Sequence, residues 1–562
     1  MNMYMLTKKK GKPFLFFFSL LLLVLVLVFS PGGNADAPIF SKESGFYDEA
    51  FYLSIEAAEG TDIYYTLDGS EPDKTSYRYE MPICIDNASL RENVYSARTD
   101  TSVGFYSDLI EQYKTVDADP EYVVPDFLVD KCSVVRAVAI GKKGECSEVV
   151  TKTYYVGISP EEYDGCNFIS VVANPEDLFG EENGIYVTGE VFKNYLKNGE
   201  LDKNWRFWEA NYTQRGKDWE REAVIQMFNS KGELLTSKIG GIRVRGGVSR
   251  GTLPRGLNLY AREEYDNENT FGITMFDGRF RPESISLTSG GNQITTQFSD
   301  YMMTQRTRQL NYATMEFEPY VLFLNGEYWG FYWMAEKYDE AYLAYHYDIR
   351  EEDAVIVKNG DLEAGNDKDI LLYENMQKFF RDNDMSIEAN YTEAQEIIDI
   401  DSFIDYYATM IYIARNSDWP NDNTAMWRTK EKGEAECADG RWRWMLFDCN
   451  SLSMRNDKNL VPHDTLSYVI ENDAVFASLW ENSIFQEKFE ERILYIADEC
   501  FDAEEMEQFI IEYNKQMVPI LSKTWKRFHG SDNNKLEEYN DRMESYRVFF
   551  VNRKETVKSW FE

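Results

Sequence analysis

The chain has 562 residues, enough for three or four domain-sized units. It carries 97 acidic against 59 basic residues, a formal net charge of −38, so nucleic acid is excluded as a principal partner because most of the surface would repel it. In such an acidic chain, any anionic ligand requires a local cluster of basic side chains.

Residues 1–37 are arranged like a secretory signal. A lysine-rich start precedes the apolar run FLFFFSLLLLVLVLVFS, and Ala35-Asp36-Ala37 supplies small residues for cleavage after Ala37. The run also approaches the roughly 20 apolar residues of a membrane-spanning helix, so an uncleaved anchor stays open as the alternative. In both cases we expect the chain outside the cytoplasm, with a membrane as partner only if the segment remains uncleaved.

The seven cysteines predict no metal site. There is no C-x-x-C pair, and three histidines are too few to indicate zinc. Export permits disulfides, and Cys132 and Cys146 flank the apolar run VVRAVAI, where they could close a small hairpin. We expect most of the thiols to be small buried residues.

Residues 38–157 read as short strands. DEAFYLSIEA alternates, TDIYYTLDGSEPD runs into a turn, and SVVRAVAI and VVTKTYYV are further strands, which together predict an Ig-like β-sandwich. The same stretches resemble the small module at the end of chitobiase-type enzymes. That resemblance implies an accessory role, either as a spacer or in binding a cell-wall or coat glycan.

The rest of the chain predicts a strand-rich lobe followed by a helical one. Residues 158–221 are a junction and the start of the first lobe, with strand-like FISVVANPEDLFG and GIYVTGEVF. Residues 222–345 alternate with a strand period, include one helix in ITTQFSDYMMTQRTRQL, and contain an Asn325-Gly326 hairpin turn. Residues 346–562 are mainly helical. This is an α+β arrangement with a cleft between the lobes.

A glycine-rich stretch, VRGGVSRG, is the first candidate for a phosphate site. Its glycines let backbone amides approach a phosphate, and Arg245, Arg250 and Arg255 add positive charge. The alternative is an ordinary glycine-rich hairpin with exposed arginines. The residues expected to contact the phosphates are Gly246, Gly247, Ser249, Arg250 and Arg255.

Two acidic motifs are the other candidates. In NSDWPNDN, Asp418 precedes Asn423 by five residues, the spacing of the kinase catalytic loop; the alternative is a turn rich in Asp and Asn. In RWRWMLFDCN, Asp448 follows an apolar strand, as a magnesium ligand at the rim of a cleft would; the alternative is a strand-capping Asp.

These motifs resemble those of the spore-coat-protein-H (CotH) kinase family over roughly residues 220–550. The resemblance rests on the glycine-rich stretch, LNLYAREEY, LFLNGEYWGFYWMAEKYD, NSDWPNDNTAMWR and RWMLFDCN. It implies an atypical protein-kinase fold that uses ATP and Mg²⁺ to phosphorylate Ser or Thr of a protein. Asp418 takes the role of catalytic base, Asn423 and Asp448 those of metal ligands, and Glu336 falls in the hinge between lobes.

Four positions depart from the family pattern. Arg255 stands where the family has its phosphate-gripping Lys, and Asp300 matches an acidic position that could orient Arg255. The usual L-R-x-G-G-N-D reads LTSGGNQ, giving Thr288 and Gln293, and the D-x-D of the metal site ends in Asn450.

The leading hypothesis is an active kinase, secreted or held on a bacterial cell surface or spore coat. The departures keep a second hypothesis open: a pseudokinase or surface-assembly protein whose N-terminal module binds glycan or another envelope component. A third, a glycan-acting enzyme, is suggested only by that module and the many aromatic residues, and no carboxylate pair stands out for it.

Overall fold

A computed structural model describes the chain except for residues 1–34, 114–121, 200, 277, 279, 292–293, 417, 450–459 and 532. Most of the predicted signal segment therefore lies outside the described residues. Within the part that is described, no helix combines the length and the apolar character needed to cross a membrane.

Residues 39–156, here called the N-terminal module, contain nine short strands. Five form a sheet in the order β2-β9-β8-β5-β6, and the other four form the pairs β1-β4 and β3-β7. Leu53 and Ile85 of the β3-β7 pair and Tyr154 of the five-stranded sheet share one core. The strands are β1 Ile39–Phe40, β2 Gly45–Tyr47, β3 Phe51–Leu53, β4 Ile55–Glu56, β5 Thr61–Thr66, β6 Tyr77–Arg78, β7 Ile83–Ile85, β8 Ser133–Gly141 and β9 Val150–Val156.

Seven strands close into a barrel in the order β10-β11-β12-β13-β14-β16-β15, with β15 pairing in parallel with β10. The Asn325-Gly326 turn joins β15 to β16, as predicted. β16 is buried along its whole length, because one face lines the barrel and Thr524 covers the other, accepting a hydrogen bond from the Phe331 amide (2.9 Å). The strands are β10 Asn167–Val172, β11 Arg221–Phe228, β12 Leu234–Val244, β13 Leu257–Tyr260, β14 Ser284–Thr288, β15 Phe317–Leu324 and β16 Glu327–Ala335.

The C-terminal part contains helices around a four-stranded sheet in the order β18-β17-β19-β20. Its strands are β17 Ala354–Lys358, β18 Asp361–Ala364, β19 Ala425–Thr429 and β20 Arg443–Met445. The α-helices of the described chain are α1 Ser107–Tyr113, α2 Pro175–Phe179, α3 Gly189–Asn198, α4 Glu263–Asp266, α5 Ser299–Thr307, α6 Glu340–Tyr347, α7 Ile370–Asp382, α8 Glu388–Ile397, α9 Ile400–Tyr412, α10 Thr465–Asn472, α11 Ala474–Trp480, α12 Ser483–Tyr495, α13 Ala503–His529 and α14 Lys535–Lys558.

The fold differs from the sequence reading at one predicted strand and at one possible disulfide. GIYVTGEVF is not a strand: its second half begins α3, in which Phe192, Tyr195 and Leu196 recur at helical spacing and pack on the barrel core. The strand predicted in FISVVANPEDLFG is confirmed as β10, through which the junction joins the barrel. Finally, the two cysteines considered for a bridge are both free, Cys132 buried and Cys146 exposed.

The helical part positions the site through α9. Twelve of its thirteen residues are buried, and the Asp399 carboxylate caps its start by accepting a hydrogen bond from the Ser402 amide (3.1 Å). The helix ends at Tyr412, and the chain then turns at Ala414 into the Asp418 motif. Because the helix is fixed by its surroundings, the start of that motif is fixed as well.

Candidate active site

Asp418 and Asp448, thirty positions apart in sequence, meet around the guanidinium of Arg415. Arg415 Nε donates to Asp418 Oδ1 (3.1 Å), and its two terminal nitrogens donate to the backbone oxygens of Asp448 (2.7 Å) and Phe447 (3.2 Å). The Arg415 side chain is only 1% exposed. One buried cation therefore joins the two acidic loops that the sequence singled out.

Asn423 completes the first loop. Its Nδ2 donates to Asp418 Oδ2 (2.8 Å), so both oxygens of that carboxylate accept a hydrogen bond. Ala414, Asn423 and Asp448 all adopt left-handed backbone conformations, with φ of 55°, 53° and 52°. Asn and Asp tolerate this region, whereas Ala does so at a steric cost, and such residues concentrate at functional sites.

Asp300, in the first turn of α5, lies beside the Asp448 loop. Its Oδ1 accepts a hydrogen bond from the Cys449 amide (2.7 Å), and Ser299 Oγ donates to the Cys449 carbonyl (2.8 Å). Burial, and then the negative charge of Asp448, raise the pKa of Asp300 to about 6. Burial also raises the pKa of Asp448, against the opposing charges of Arg415 and Arg245. The barrel and the C-terminal part thus each bring a carboxylate to one place.

Arg245, at the end of β12, is the arginine of the glycine-rich stretch that faces this acidic pair. Its charge lowers the pKa of both Asp300 and Asp448. Among the residues that the structure describes, the Arg245 guanidinium forms no hydrogen bond or ion pair, and the residue is only partly buried. It is therefore the cation of this stretch that is available to a ligand.

The structure does not bring Arg255 to the cleft, contrary to the role predicted for it. The residue is 0% exposed, its guanidinium lies 3.7 Å from the Tyr212 ring centroid, and it donates to the carbonyls of Thr101 and Arg250 (both 2.5 Å). These bonds hold it inside the barrel region. Asp300 bonds the Cys449 amide instead of orienting this arginine.

The remaining residues of the glycine-rich stretch are turned toward the barrel. Arg250 donates to the carbonyls of Gly246 (2.6 Å) and Gln214 (2.5 Å), and burial together with the charge of Arg215 lowers its pKa to about 10. Gly246 has φ of 116°, and a Cβ there would meet the Ser249 hydroxyl at 2.2 Å. Gly247 is exposed. The stretch is a compact turn stabilised by its own carbonyls.

Glu336, predicted to lie in a nucleotide-binding hinge, has a buried carboxylate that is already occupied. Its Oε2 accepts a hydrogen bond from the Glu316 amide (2.8 Å), and its Oε1 lies 2.8 Å from His346 Nε2. The side chain therefore fastens β16 to α6. Gln293 and Asn450, two of the departures from the family pattern, lie outside the described residues.

Two residues near the site escaped the sequence reading. The first is Arg415, which joins the Asp418 and Asp448 loops. The second is Lys358, at the end of β17, which lies 5.5 Å from the ring centroid of Phe447, the residue before Asp448. The only signal for Arg415 in the sequence is its position three residues before Asp418. The only signal for Lys358 is its pairing across two strands with Ala425, two residues after Asn423.

The donors at this site suit Mg²⁺ bound together with phosphate. Magnesium takes oxygen ligands, one or two of them carboxylates, and leaves the remaining positions to water and phosphate. Asp448 and the amide oxygen of Asn423 supply such donors, and Arg245 supplies the charge that phosphate needs. No group of three or more His, Cys, Asp or Glu side chains in the described residues is arranged to hold a metal alone.

Two family models match the chain. A family model described as "CotH kinase protein" matches residues 242–557, more than half of the chain, and confirms the resemblance noted in the sequence. A second model, described as "Fn3 associated", matches residues 53–154 and supports a separate N-terminal module. No curated protein matches the chain.

Proposed function

Because the chain belongs to the CotH kinase family, we propose that it is a secreted protein kinase that transfers the γ-phosphoryl group of ATP to Ser or Thr of a coat or cell-surface protein. The observation that supports this most is the meeting of Asp418 and Asp448 around Arg415. In this proposal the barrel and the helical part are the two lobes of an atypical kinase, and the N-terminal module is an Ig-like domain.

Asp418 is the proposed base. Its Oδ2, held by the Asn423 amide, would turn from that bond toward the hydroxyl of the substrate, orient it and accept its proton. Arg415 keeps the carboxylate in place from the opposite oxygen. Asp448 and Asn423 would hold Mg²⁺, which when bound supplies positive charge to the transferring phosphoryl group. The protein contributes positioning more than covalent chemistry.

The N-terminal module is the proposed link to the envelope. Tyr52 and Tyr77 are 71% and 66% exposed, and aromatic rings on a strand surface suit contact with a wall or coat glycan. We propose this role for the module on its exposed aromatic residues and on its accessory character, without a catalytic part in it.

A second candidate function, a pseudokinase scaffold, is favoured by the state of Asp418. Each oxygen of its carboxylate already accepts a hydrogen bond, from Arg415 and from Asn423, so that one of these bonds must break before a substrate hydroxyl can bind. Arg255, the family's phosphate-gripping position, is buried away from the cleft. In this alternative the site binds nucleotide or nothing, and the chain serves in surface assembly.

A phosphoryl-transfer assay distinguishes the active kinase from the pseudokinase scaffold. The full chain is incubated with γ-labelled ATP, Mg²⁺ and a Ser-rich protein, and labelled phosphoserine and phosphothreonine are counted. We expect Asp418→Asn and Asp448→Asn to lower the transfer by at least about 100-fold, as loss of a general base or metal ligand does. Asp498→Asn, on an exposed surface, is the matched control. Transfer that persists in both site variants rejects this active site, whereas nucleotide binding without transfer supports the scaffold.

A further inference from the structure

A cavity of about 470 Å³ opens beside the end of β13, and neither residue of the acidic pair lines it. Tyr260 lies in its wall, with the guanidinium groups of Arg243 and Arg262 at 4.2 and 4.7 Å from the ring centroid. Both arginines contact the carboxylate of the buried Glu220, at 3.2 and 2.9 Å. Its volume is within the range of small-molecule sites, and its flat guanidinium and aromatic groups suit a planar ligand.

Acidic side chains outnumber basic ones in the wall of this cavity, and Lys337 lies 3.8 Å from one of them, Asp339. Five carboxylate side chains line it, and burial and the neighbouring acids raise the pKa of one of them, Glu283. Carboxylates accept hydrogen bonds from hydroxyl and amino groups, but they repel phosphate. The cavity therefore suits the uncharged end of a ligand. The five acidic residues are Glu283, Asp339, Glu340, Glu351 and Glu352.

Three cations lie between the cavity wall and the acidic pair. Lys337 lies in the cavity wall, 5.8 Å from the Tyr260 ring centroid. Lys358 Nζ is 3.4 Å from Glu363 and 3.5 Å from the carbonyl of Tyr338, the residue that follows Lys337. Burial lowers the pKa of Lys358; the charge of Glu363 opposes this effect, and the charges of Lys337 and Arg245 add to it. Like charges that act on one another in this way favour an anion between them.

We propose that Arg245, Lys358 and Lys337 bind the polyphosphate of the nucleotide, while its nucleoside occupies the Tyr260 cavity. The γ-phosphoryl end then points toward Asp448, and the carboxylates of the cavity accept hydrogen bonds from the nucleoside. These cations take the role that the sequence assigned to Arg255. The inference rests on the proposed nucleotide-dependent function, and it states which end of the nucleotide lies toward Asp448.

Binding, measured without turnover, tests this arrangement. The full chain is titrated by calorimetry with three probes: a non-hydrolysable ATP analogue with Mg²⁺, inorganic tripolyphosphate with Mg²⁺, and adenosine. Arg245→Gln and Lys358→Met should each weaken the analogue and tripolyphosphate by about 10- to 100-fold, the range of a hydrogen bond to a charged group, and leave adenosine unchanged. Ala341→Trp, which fills the cavity from α6, should weaken the analogue and adenosine and spare tripolyphosphate.

Lys430→Met is the matched control. Lys430 follows β19 at the opposite end of the same sheet, with a side chain 23% exposed against 16% for Lys358. The Lys430→Met variant should bind all three probes as the unsubstituted chain does. Melting curves verify that each variant is folded. The inference is overturned if the unsubstituted chain binds no probe, if both cation variants bind normally, or if Arg255→Gln alone loses the polyphosphate. If the binding pattern holds but no phosphoryl group is transferred, the kinase proposal fails and this inference stands.

Discussion

Arg415 is the residue on which the geometry of the acidic loops depends. It is fully buried and bonds Asp418, Phe447 and Asp448 at once. Replacing it by Met leaves one oxygen of the Asp418 carboxylate and two carbonyls without their donor, and breaking an ion pair with a buried partner costs about 3–5 kcal/mol. We therefore expect Arg415→Met to lower the free energy of unfolding by about 3 kcal/mol and to remove nucleotide binding. Urea denaturation and calorimetry measure the two effects.

An exposed arginine provides the control for that change. Arg308 is 45% exposed and lies 3.3 Å from Glu316, an ion pair of the kind that contributes less than about 1 kcal/mol. Arg308→Met should leave both unfolding and binding nearly unchanged. Equal losses in the two variants would contradict the organising role of Arg415.

Asp439 gives the region before β20 a defined pH dependence. Burial raises the pKa of its carboxyl, but hydrogen bonds from Arg443 (2.7 and 2.9 Å) and Arg441 (2.6 Å) outweigh this and hold the pKa well below its usual range. A depressed pKa means that the stabilisation is complete above about pH 4, the ordinary value, and is lost as the pH falls through the folded value.

The expected result follows from that sign. At pH 7, Asp439→Asn should lower the free energy of unfolding by about 1–2 kcal/mol, and the melting temperature with it. The difference from the unsubstituted chain should shrink below pH 4. Thermal melts from pH 7 to pH 3 measure it, with the exposed Asp361→Asn as control. A difference that grows on acidification would contradict the assignment.

At the scale of elements, the sequence predicts what depends on local pattern. The β15–β16 hairpin follows from Asn325-Gly326 between apolar runs, and α5 follows from its helical spacing; both are confirmed. The strand predicted before Asp448 is confirmed as β20, but the sheet that it joins is missed because β17, β18 and β19 have only four or five residues each and lie among long helices. The burial of Arg255 could not be read from sequence, because Thr101 and Tyr212, its partners, come from distant segments.

The turn between β15 and β16 also fixes the N-terminal module. Gly326 has φ of 87°, its carbonyl accepts a hydrogen bond from the Cys132 amide (2.8 Å), and a Cβ would meet the Cys132 carbonyl at 2.7 Å. Gly326→Ala should therefore destabilise the protein by about 1–3 kcal/mol through strain and a poorer junction. Gly60 has a similar φ of 90° but open space around it, so Gly60→Ala measures the backbone strain alone. Chemical denaturation of both variants therefore separates the strain from the contact with Cys132. Equal effects would show that the contact with Cys132 is unimportant.

At the scale of the molecule, the N-terminal module and the barrel share one core. Tyr155 of β9 packs against Phe168, Phe228 and Phe323 of three barrel strands, with ring centroids 5.0 to 6.0 Å apart. Val134 of β8 likewise packs on barrel residues, so β8 is buried on both faces. Apolar contact of this kind couples the stabilities of the parts it joins. We infer that the module holds a fixed position on the kinase-family domain.

Glu327 is the polar counterpart of that core, and its removal tests the coupling. The side chain is 3% exposed, and its two oxygens accept hydrogen bonds from the Val94 and Ser96 amides (both 2.6 Å). Glu327→Ala leaves both amides without their acceptor, and the buried one, that of Ser96, costs about 1–3 kcal/mol. We expect calorimetry to show one unfolding transition for the unsubstituted chain and two for the variant, with new proteolytic cleavage in residues 90–131. Glu233→Ala, on the exposed β11–β12 turn, should retain the single transition. If Glu327→Ala also retains it, the apolar core alone holds the module and this carboxylate only adds stability.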